Sequence, residues 1–98
     1  MDYLKPMDGV YTIYTRSGCP YCKMIMELLK HEDPPVDEIN CDEYITHSKP
    51  HLFQFIKQIA GKEHKTFPAV FLDGEFIGGY TETKAFLNYL ATLPQTKS

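Results

Sequence analysis

Val10-Tyr11-Thr12-Ile13-Tyr14-Thr15-Arg16-Ser17-Gly18-Cys19-Pro20-Tyr21-Cys22 passes from a β-branched and aromatic run, through a short polar loop, to two cysteines three positions apart. Val10 to Tyr14 reads as a buried strand, and Arg16-Ser17-Gly18 as a loop. From Pro20 to His31, Tyr21, Ile25, Leu28 and Leu29 recur at helical spacing on one face. Pro20 suits the first helical position, where its missing N–H would be unpaired anyway. Cys19 then stands at the helix N-terminus and Cys22 one turn inside. Unpaired N–H groups and the positive end of the helix dipole face the Cys19 sulfur. Cys19 is therefore expected to be the more acidic and more nucleophilic thiol. Cys22 is close enough to attack a mixed disulfide formed at Cys19. That is the minimum equipment for thiol–disulfide exchange.

Outward from this stretch, Asp33-Pro34-Pro35 stops the helix, and Val36-Asp37-Glu38-Ile39-Asn40 alternates as a second strand. A strand–helix–strand unit of this kind makes a parallel pair with a right-handed crossover. Leu52, Phe55, Ile56 and Ile59 form an i, i+3, i+4, i+7 stripe that ends at Gly61. Ala69-Val70-Phe71-Leu72, Asp73-Gly74 and Glu75-Phe76-Ile77 read as a hairpin with a type I′ turn. Gly78-Gly79 breaks its second strand. Thr81 or Thr83 is expected to cap a last helix whose face carries Phe86, Leu87, Leu90 and Leu93. The expected order is β-α-β-α-β-β-α in one domain over residues 1–98, with a core of about 10–93. Residues before Asp8 and after Pro94 are expected to fray.

Composition narrows the function classes. The 98 residues carry a net charge of −3 and no basic stretch, which argues against nucleic acid as a partner. No apolar run approaches the roughly 20 residues that span a bilayer. Met1 to Pro6 lacks a charged-then-apolar signal pattern. A cytoplasmic, reducing compartment is expected, where a CxxC is catalytic or metal-binding more often than a structural staple. As a zinc half-site, Cys19 and Cys22 would need two further ligands, which Cys41 and the histidines supply only by accident of folding; no metal is expected. Cys41 follows a strand and reads as a small buried side chain. His31, His47, His51 and His64 show no ligand spacing and read as surface residues. Tyr3, Tyr11 and Tyr14 read as packing residues.

Taken together, the motifs resemble the thioredoxin fold, and specifically the dithiol glutaredoxins of the short bacterial type. The resemblance spans Val10 to Leu93 and rests on four motifs in order. These are Arg16-Ser17-Gly18-Cys19-Pro20-Tyr21-Cys22, then Thr66-Phe67-Pro68, Phe76-Ile77-Gly78-Gly79 and Tyr80-Thr81-Glu82. Phe67 stands where the family usually has Val, and Glu82 where it usually has Asp. The resemblance implies an α/β fold: a four-stranded mixed sheet flanked by helices, with a glutathione groove beside Cys19. The family proline matching Pro68 is cis and exposes the backbone matching Phe67, along which glutathione can lie as an added strand. Arg16 is implied to meet a glutathione carboxylate. Thr81, with Gly79 before it, matches the helix start that holds the γ-glutamyl carboxylate. Glu82 matches the acid that pairs with the substrate amine. Tyr21 and Tyr80 flank the groove beside Thr66. A family Gln or Arg in the second helix falls in register near Phe53 and Gln54.

The implied activity is glutathione-dependent reduction of protein disulfides and glutathione mixed disulfides, with Cys19 as nucleophile, Cys22 as resolving thiol and glutathione as reductant. The implied partners are glutathione and disulfide-containing or glutathionylated proteins, ribonucleotide reductase among them; a monomer is expected. One alternative is a thioredoxin-like reductase, against which stand the absence of Trp and of Cys-Gly-Pro-Cys. The other is a dimer bridging an iron–sulfur cluster, against which stand Pro20-Tyr21 and the second cysteine.

Overall fold

Apolar residues on both faces of the first strand dictate its place at the centre of the molecule. In the computed structural model, which describes residues 1–94, β1 (Tyr11–Thr15) is buried along its whole length. Strands β2 (Val36–Asn40), β3 (Ala69–Leu72) and β4 (Glu75–Gly78) complete one sheet in the order β2-β1-β3-β4. β1 runs parallel to β2 and antiparallel to β3, and β3 is antiparallel to β4. The period-2 alternation sends Tyr11, Ile13 and Val70 to one face and Tyr14, Ala69 and Phe71 to the other. Helices α1 (Pro20–Leu29) and α3 (Tyr80–Thr92) cover the first face, through Ile25, Leu29 and Leu87. Helix α2 (Asp42–Ala60) covers the second with Leu52 and Ile56. This is the mixed sheet and β-α-β-α-β-β-α order expected above.

Several local expectations hold. Asp73 (φ 52°) and Gly74 (φ 81°) are both left-handed, as a type I′ turn requires. Gly61 ends α2 with φ 78°, and its N–H reaches Lys57 O. Others are corrected. α1 stops at Leu29, with Lys30 N–H bonded to Met26 O. Its buried face is Cys22, Ile25 and Leu29, while Tyr21 and Leu28 are 57% and 37% exposed. The apolar stripe thus begins on a cysteine rather than on the neighbouring tyrosine. α2 begins at Asp42, about three turns before the apolar stripe, and kinks at Ser48 (φ −166°, ψ 103°). Ser48 Oγ accepts from His51 N–H at 3.3 Å, so the serine caps a second helical segment around Pro50.

The N-terminal segment packs rather than fraying. The Tyr3 ring stacks on Phe55 and meets the edge of Tyr44, both at 4.8 Å. Tyr14 donates its hydroxyl to Leu4 O at 2.7 Å, and Leu4 N–H donates to Tyr44 at 3.1 Å. Each aromatic pair adds about 0.5–1.5 kcal/mol beyond its buried area, which offsets the entropy of holding a short terminal strap. The matching expectation after Pro94 lies outside the described residues. Gly79, not Thr81 or Thr83, caps α3. Glu82 Oε1 accepts from Gly79 N–H at 2.8 Å, and Thr83 is buried within the helix. Leu93 lies just past the helix, exposed, while Phe86, Leu87 and Leu90 are half-buried.

The turn from β4 into α3 demands glycine. Gly78 has φ 143°, and a Cβ there would stand 2.5 Å from Glu82 Cβ. Gly78→Ala is therefore expected to cost about 2–3 kcal/mol in urea unfolding.

Cys41 is fully buried, as read from the sequence, and burial pushes its thiol up to about 12 from an ordinary 9.0. Between these values the unfolded thiol has lost its proton and the native one has not. The native state binds more protons, so stability is full below pH 9 and falls as pH rises toward 12. Unfolding measured under reducing conditions at pH 7, 9 and 10.5 should show this decline, and Cys41→Ala should make it shallower. Tyr14, whose phenol burial also pushes up, keeps the slope from vanishing.

Candidate active site

Cys19 is the N-cap of α1, and its sulfur takes the place of the usual capping oxygen. Cys19 Sγ accepts from Cys22 N–H at 3.2 Å, with Pro20 at the first helical position. On its other side the thiol donates to Phe67 O at 3.6 Å. Phe67 precedes Pro68 through a cis peptide bond in the loop that enters β3. The Cys19 sulfur is thus held between a helix start and a loop 48 residues away in sequence.

The two cysteines are equally shielded, at 5% and 4% exposure, so access alone does not separate them. Position does. Cys22 sits inside the first turn, and its thiol is pushed up to about 12, first by burial and then by its contact with Cys19. Near neutral pH Cys22 is a protonated thiol waiting behind Cys19.

The loop between β1 and α1 is tied down from α2. Ser17 N–H donates to Asp42 Oδ1 at 2.9 Å, and Ser17 Oγ donates to Asp42 Oδ2. These bonds hold the Asp42 carboxyl below its usual range, with Arg16 adding a smaller attraction. Gly18 completes the turn in the left-handed region, at φ 72°.

Two shallow cavities meet at Tyr21, Thr66 and Phe67. One, about 300 Å³, is lined by Arg16, Cys19, Pro20, Lys49, Phe53 and Lys65 together with those three residues. The other, about 330 Å³, continues to Gly79, Tyr80, Thr81 and Glu82. Tyr21 and Tyr80 stand 5.5 Å apart between ring centroids and form one wall. Of the residues singled out from sequence, Arg16, Cys19, Tyr21, Thr66, Phe67, Gly79, Tyr80, Thr81 and Glu82 all line this groove. Cys22 and Pro68 lie buried behind it. The groove has two electrical ends. Arg16, Lys49 and Lys65 make one cationic, whereas the other holds the N-terminus of α3 and the Glu82 carboxylate.

Sequence reading missed Lys49, Lys65 and His64, and named Phe53 only as a register position for the family's Gln or Arg. Lys49 and Phe53 lie one turn apart on α2, with Lys49 Nζ 5.7 Å from the Phe53 ring centre. The signal was an aromatic residue off the apolar stripe; Phe53 pairs with Phe67 at 6.0 Å instead of entering the core. Gln54 lines a neighbouring cavity. Lys65 had no sequence signal beyond its closeness to Thr66. His64, read as a surface residue, is half-buried behind the loop. Its Nε2 lies 3.1 Å from Pro68 O and its ring edge packs on Phe76 at 5.1 Å. Among the described residues, no three His, Cys, Asp or Glu side chains converge as ligands of a metal ion.

Comparison with known proteins agrees with this geometry. The glutaredoxin family model matches residues 11–77, from β1 through the hairpin. Glutaredoxin 1 of Escherichia coli K12 is 32% identical over 75 residues, covering 76% of this chain and 88% of that protein. Among solved structures, glutaredoxin 1 from Francisella tularensis, complexed with cacodylate, superposes with a TM-score of 0.71 at 32% identity, over 86% of this chain and 98% of that one. A structure of E. coli glutaredoxin gives 0.60 at 30% identity, over 86% and 99%. With Cys19 and Cys22 in the matched segment and the same fold around them, the chain belongs to the glutaredoxin family of thiol–disulfide oxidoreductases.

Proposed function

We propose that this protein is a glutathione-dependent disulfide reductase that acts on protein disulfides and on glutathione mixed disulfides, with Cys19 as nucleophile and Cys22 as resolving thiol. The observation that carries the reading is the two-ended groove meeting at Cys19. Glutathione is a short peptide with a thiol in its middle, a carboxylate at its glycine end, and an amine and a carboxylate at its γ-glutamyl end. Its glycine end fits beside Arg16, Lys49 and Lys65. Its γ-glutamyl end fits the start of α3, where the N–H groups of Tyr80 and Thr81 take the carboxylate and Glu82 takes the amine. Glu82 Oε1 is held by Gly79 N–H, so the second carboxylate oxygen is the one offered. Its cysteine lies along the Phe67 backbone as an added strand.

With a glutathione mixed disulfide, the Cys19 thiolate attacks the glutathionyl sulfur. The S–S bond breaks, and the protein thiolate leaves and takes up a proton. A second glutathione thiolate then attacks the glutathionyl sulfur held on Cys19 and releases glutathione disulfide and the Cys19 thiolate. With a protein disulfide, Cys19 forms the mixed disulfide and frees one substrate thiol. Cys22 loses its proton, attacks Cys19 Sγ, frees the second substrate thiol and leaves a Cys19–Cys22 disulfide, which two glutathiones reduce. The preorganised amide at Cys22 N favours negative charge on Cys19 Sγ whenever it attacks or leaves. A monomer in a glutathione-rich cytoplasm suits this chemistry, and ribonucleotide reductase is a fitting protein substrate. No helix of the described residues is long and apolar enough to cross a membrane.

A steady-state assay with a glutathione mixed disulfide tests the reading. Cys22→Ser is expected to keep activity on that substrate and lose reduction of protein disulfides. Cys19→Ser should lose both; an active Cys19→Ser protein would overturn the assignment of the nucleophile. Arg16→Ala should raise the KM for glutathione about fivefold with kcat nearly unchanged, the signature of lost uniform binding. An unchanged KM would return Arg16 to a solvated loop charge.

A further inference from the structure

A cavity larger than the groove at Cys19 lies beside it. It holds about 760 Å³ and is lined by α2 and the loop after it. Pro50 and Phe53 form its apolar floor, and Lys49, Lys57 and Lys65 stand around it. Lys49, Phe53 and Lys65 line both this cavity and the groove at Cys19, so the two adjoin. Glu63 is the one acid on the rim, 3.8 Å from Lys57 and 3.9 Å from Lys65. All three side chains are more than half exposed, and such pairs are worth at most about 1 kcal/mol. Glu63 therefore leaves the lysines free to take other anions. Cationic charge gathered here, on a chain whose net charge is −3, marks a local preference rather than a general one.

We propose that this cavity receives an acidic segment of a protein substrate, lying on the C-terminal side of the cysteine that Cys19 attacks. The proposal rests on the reading that glutathione lies along the groove with its glycine end toward Arg16 and Lys49. A substrate peptide running in the same direction carries the residues after its cysteine past Arg16, over Phe53, and into the cavity. Glutathione ends at the first of these residues, and a protein does not. Asp and Glu side chains then meet Lys49, Lys57 and Lys65, while an apolar side chain rests on Pro50 and Phe53. Attraction of this exposed kind acts chiefly on the rate of encounter and weakens with salt.

Two synthetic peptides test it, each closed by one internal disulfide. One carries Asp and Glu in the residues after its last cysteine, and the other carries Asn and Gln there. Reduction is followed at low salt with glutathione as electron donor, beside a small glutathione mixed disulfide as reference. The acidic peptide is expected to show a kcat/KM about fivefold higher, with the difference shrinking as salt is added. Lys57→Glu, outside the groove at Cys19, should remove that preference and leave the reference reaction unchanged. Equal rates for the two peptides, or a Lys57→Glu protein that keeps the preference, would overturn the proposal. A salt-sensitive dimer that Lys57→Glu dissolves would give the cavity to a second copy of the chain, and also overturn it. Loss of the reference reaction in the unaltered protein would instead sink the glutathione reading itself.

Discussion

The placement of Cys19 Sγ as the side-chain cap of α1 is the constraint on which the site depends. A capping side chain satisfies an N–H that the helix cannot satisfy itself, and is ordinarily worth about 1 kcal/mol with an oxygen acceptor. Here the cap is a sulfur, bonded to Cys22 N–H at 3.2 Å. The group that ends the helix is also the group we propose as the nucleophile. Its amide partner is set by folding, so no reorganisation is needed when charge develops on the sulfur. The same placement buries Cys22 in the first turn as the leading member of the Cys22, Ile25, Leu29 face. One helix start therefore gives the two thiols different environments although they are equally shielded.

The second demand is that a distant loop reach this helix start. The Phe67 carbonyl lies on the segment between α2 and β3, and three sets of contacts hold the pieces in register. Ser17 and Asp42 tie the β1–α1 loop to α2. His64 lies within hydrogen-bonding distance of Pro68 O and packs on Phe76 of β4. Gly78 lets the chain turn tightly enough for Glu82 to cap Gly79. The sheet order explains why these suffice. β1 and β3 are neighbours, so the loop that leaves β1 and the loop that enters β3 emerge side by side at one edge.

Periodicity and turn chemistry made the fold legible. Alternation located β2, the Asp73-Gly74 pair located the hairpin, and the spacing of Leu52, Phe55, Ile56 and Ile59 located the second half of α2. Where reading failed, a tertiary contact had overridden a local rule. Helical spacing put Tyr21 on the apolar face of α1, yet the smaller Cys22 takes the buried position there. The first turns of α2 carry few apolar residues and show no stripe; they are held by Ser17 bonding and by the Tyr3, Tyr44 and Phe55 cluster. Tyr3 read correctly as a packing residue, but the segment that carries it was expected to fray, because its partners lie about 40 and 50 residues on and leave no mark nearby. The groove residues on the cysteine loop and before β3 were legible through their motifs. Lys49, Lys65 and His64 were not, since each acquires its role only when α2 and its following loop pack beside Cys19.

The groove and the larger cavity divide the work of recognition by the strength of their interactions. At the Phe67 backbone, strand-like pairing is directional and indifferent to side chains, so it suits any peptide that presents a cysteine. Beyond Phe53, recognition rests on exposed lysines over an apolar floor, where each contact is weak and screened. Weak contacts at the far end add selectivity without holding the product, because once reduction cuts the covalent link at Cys19 they add little to the backbone pairing that remains. A tight far site would slow product departure, whereas one built from pairs of about 1 kcal/mol or less biases encounter and then lets go. Lys49, Lys57 and Lys65 around one cavity whose rim carries a single acid, Glu63, rather than a buried and fully paired ionic site, is the arrangement that such turnover calls for.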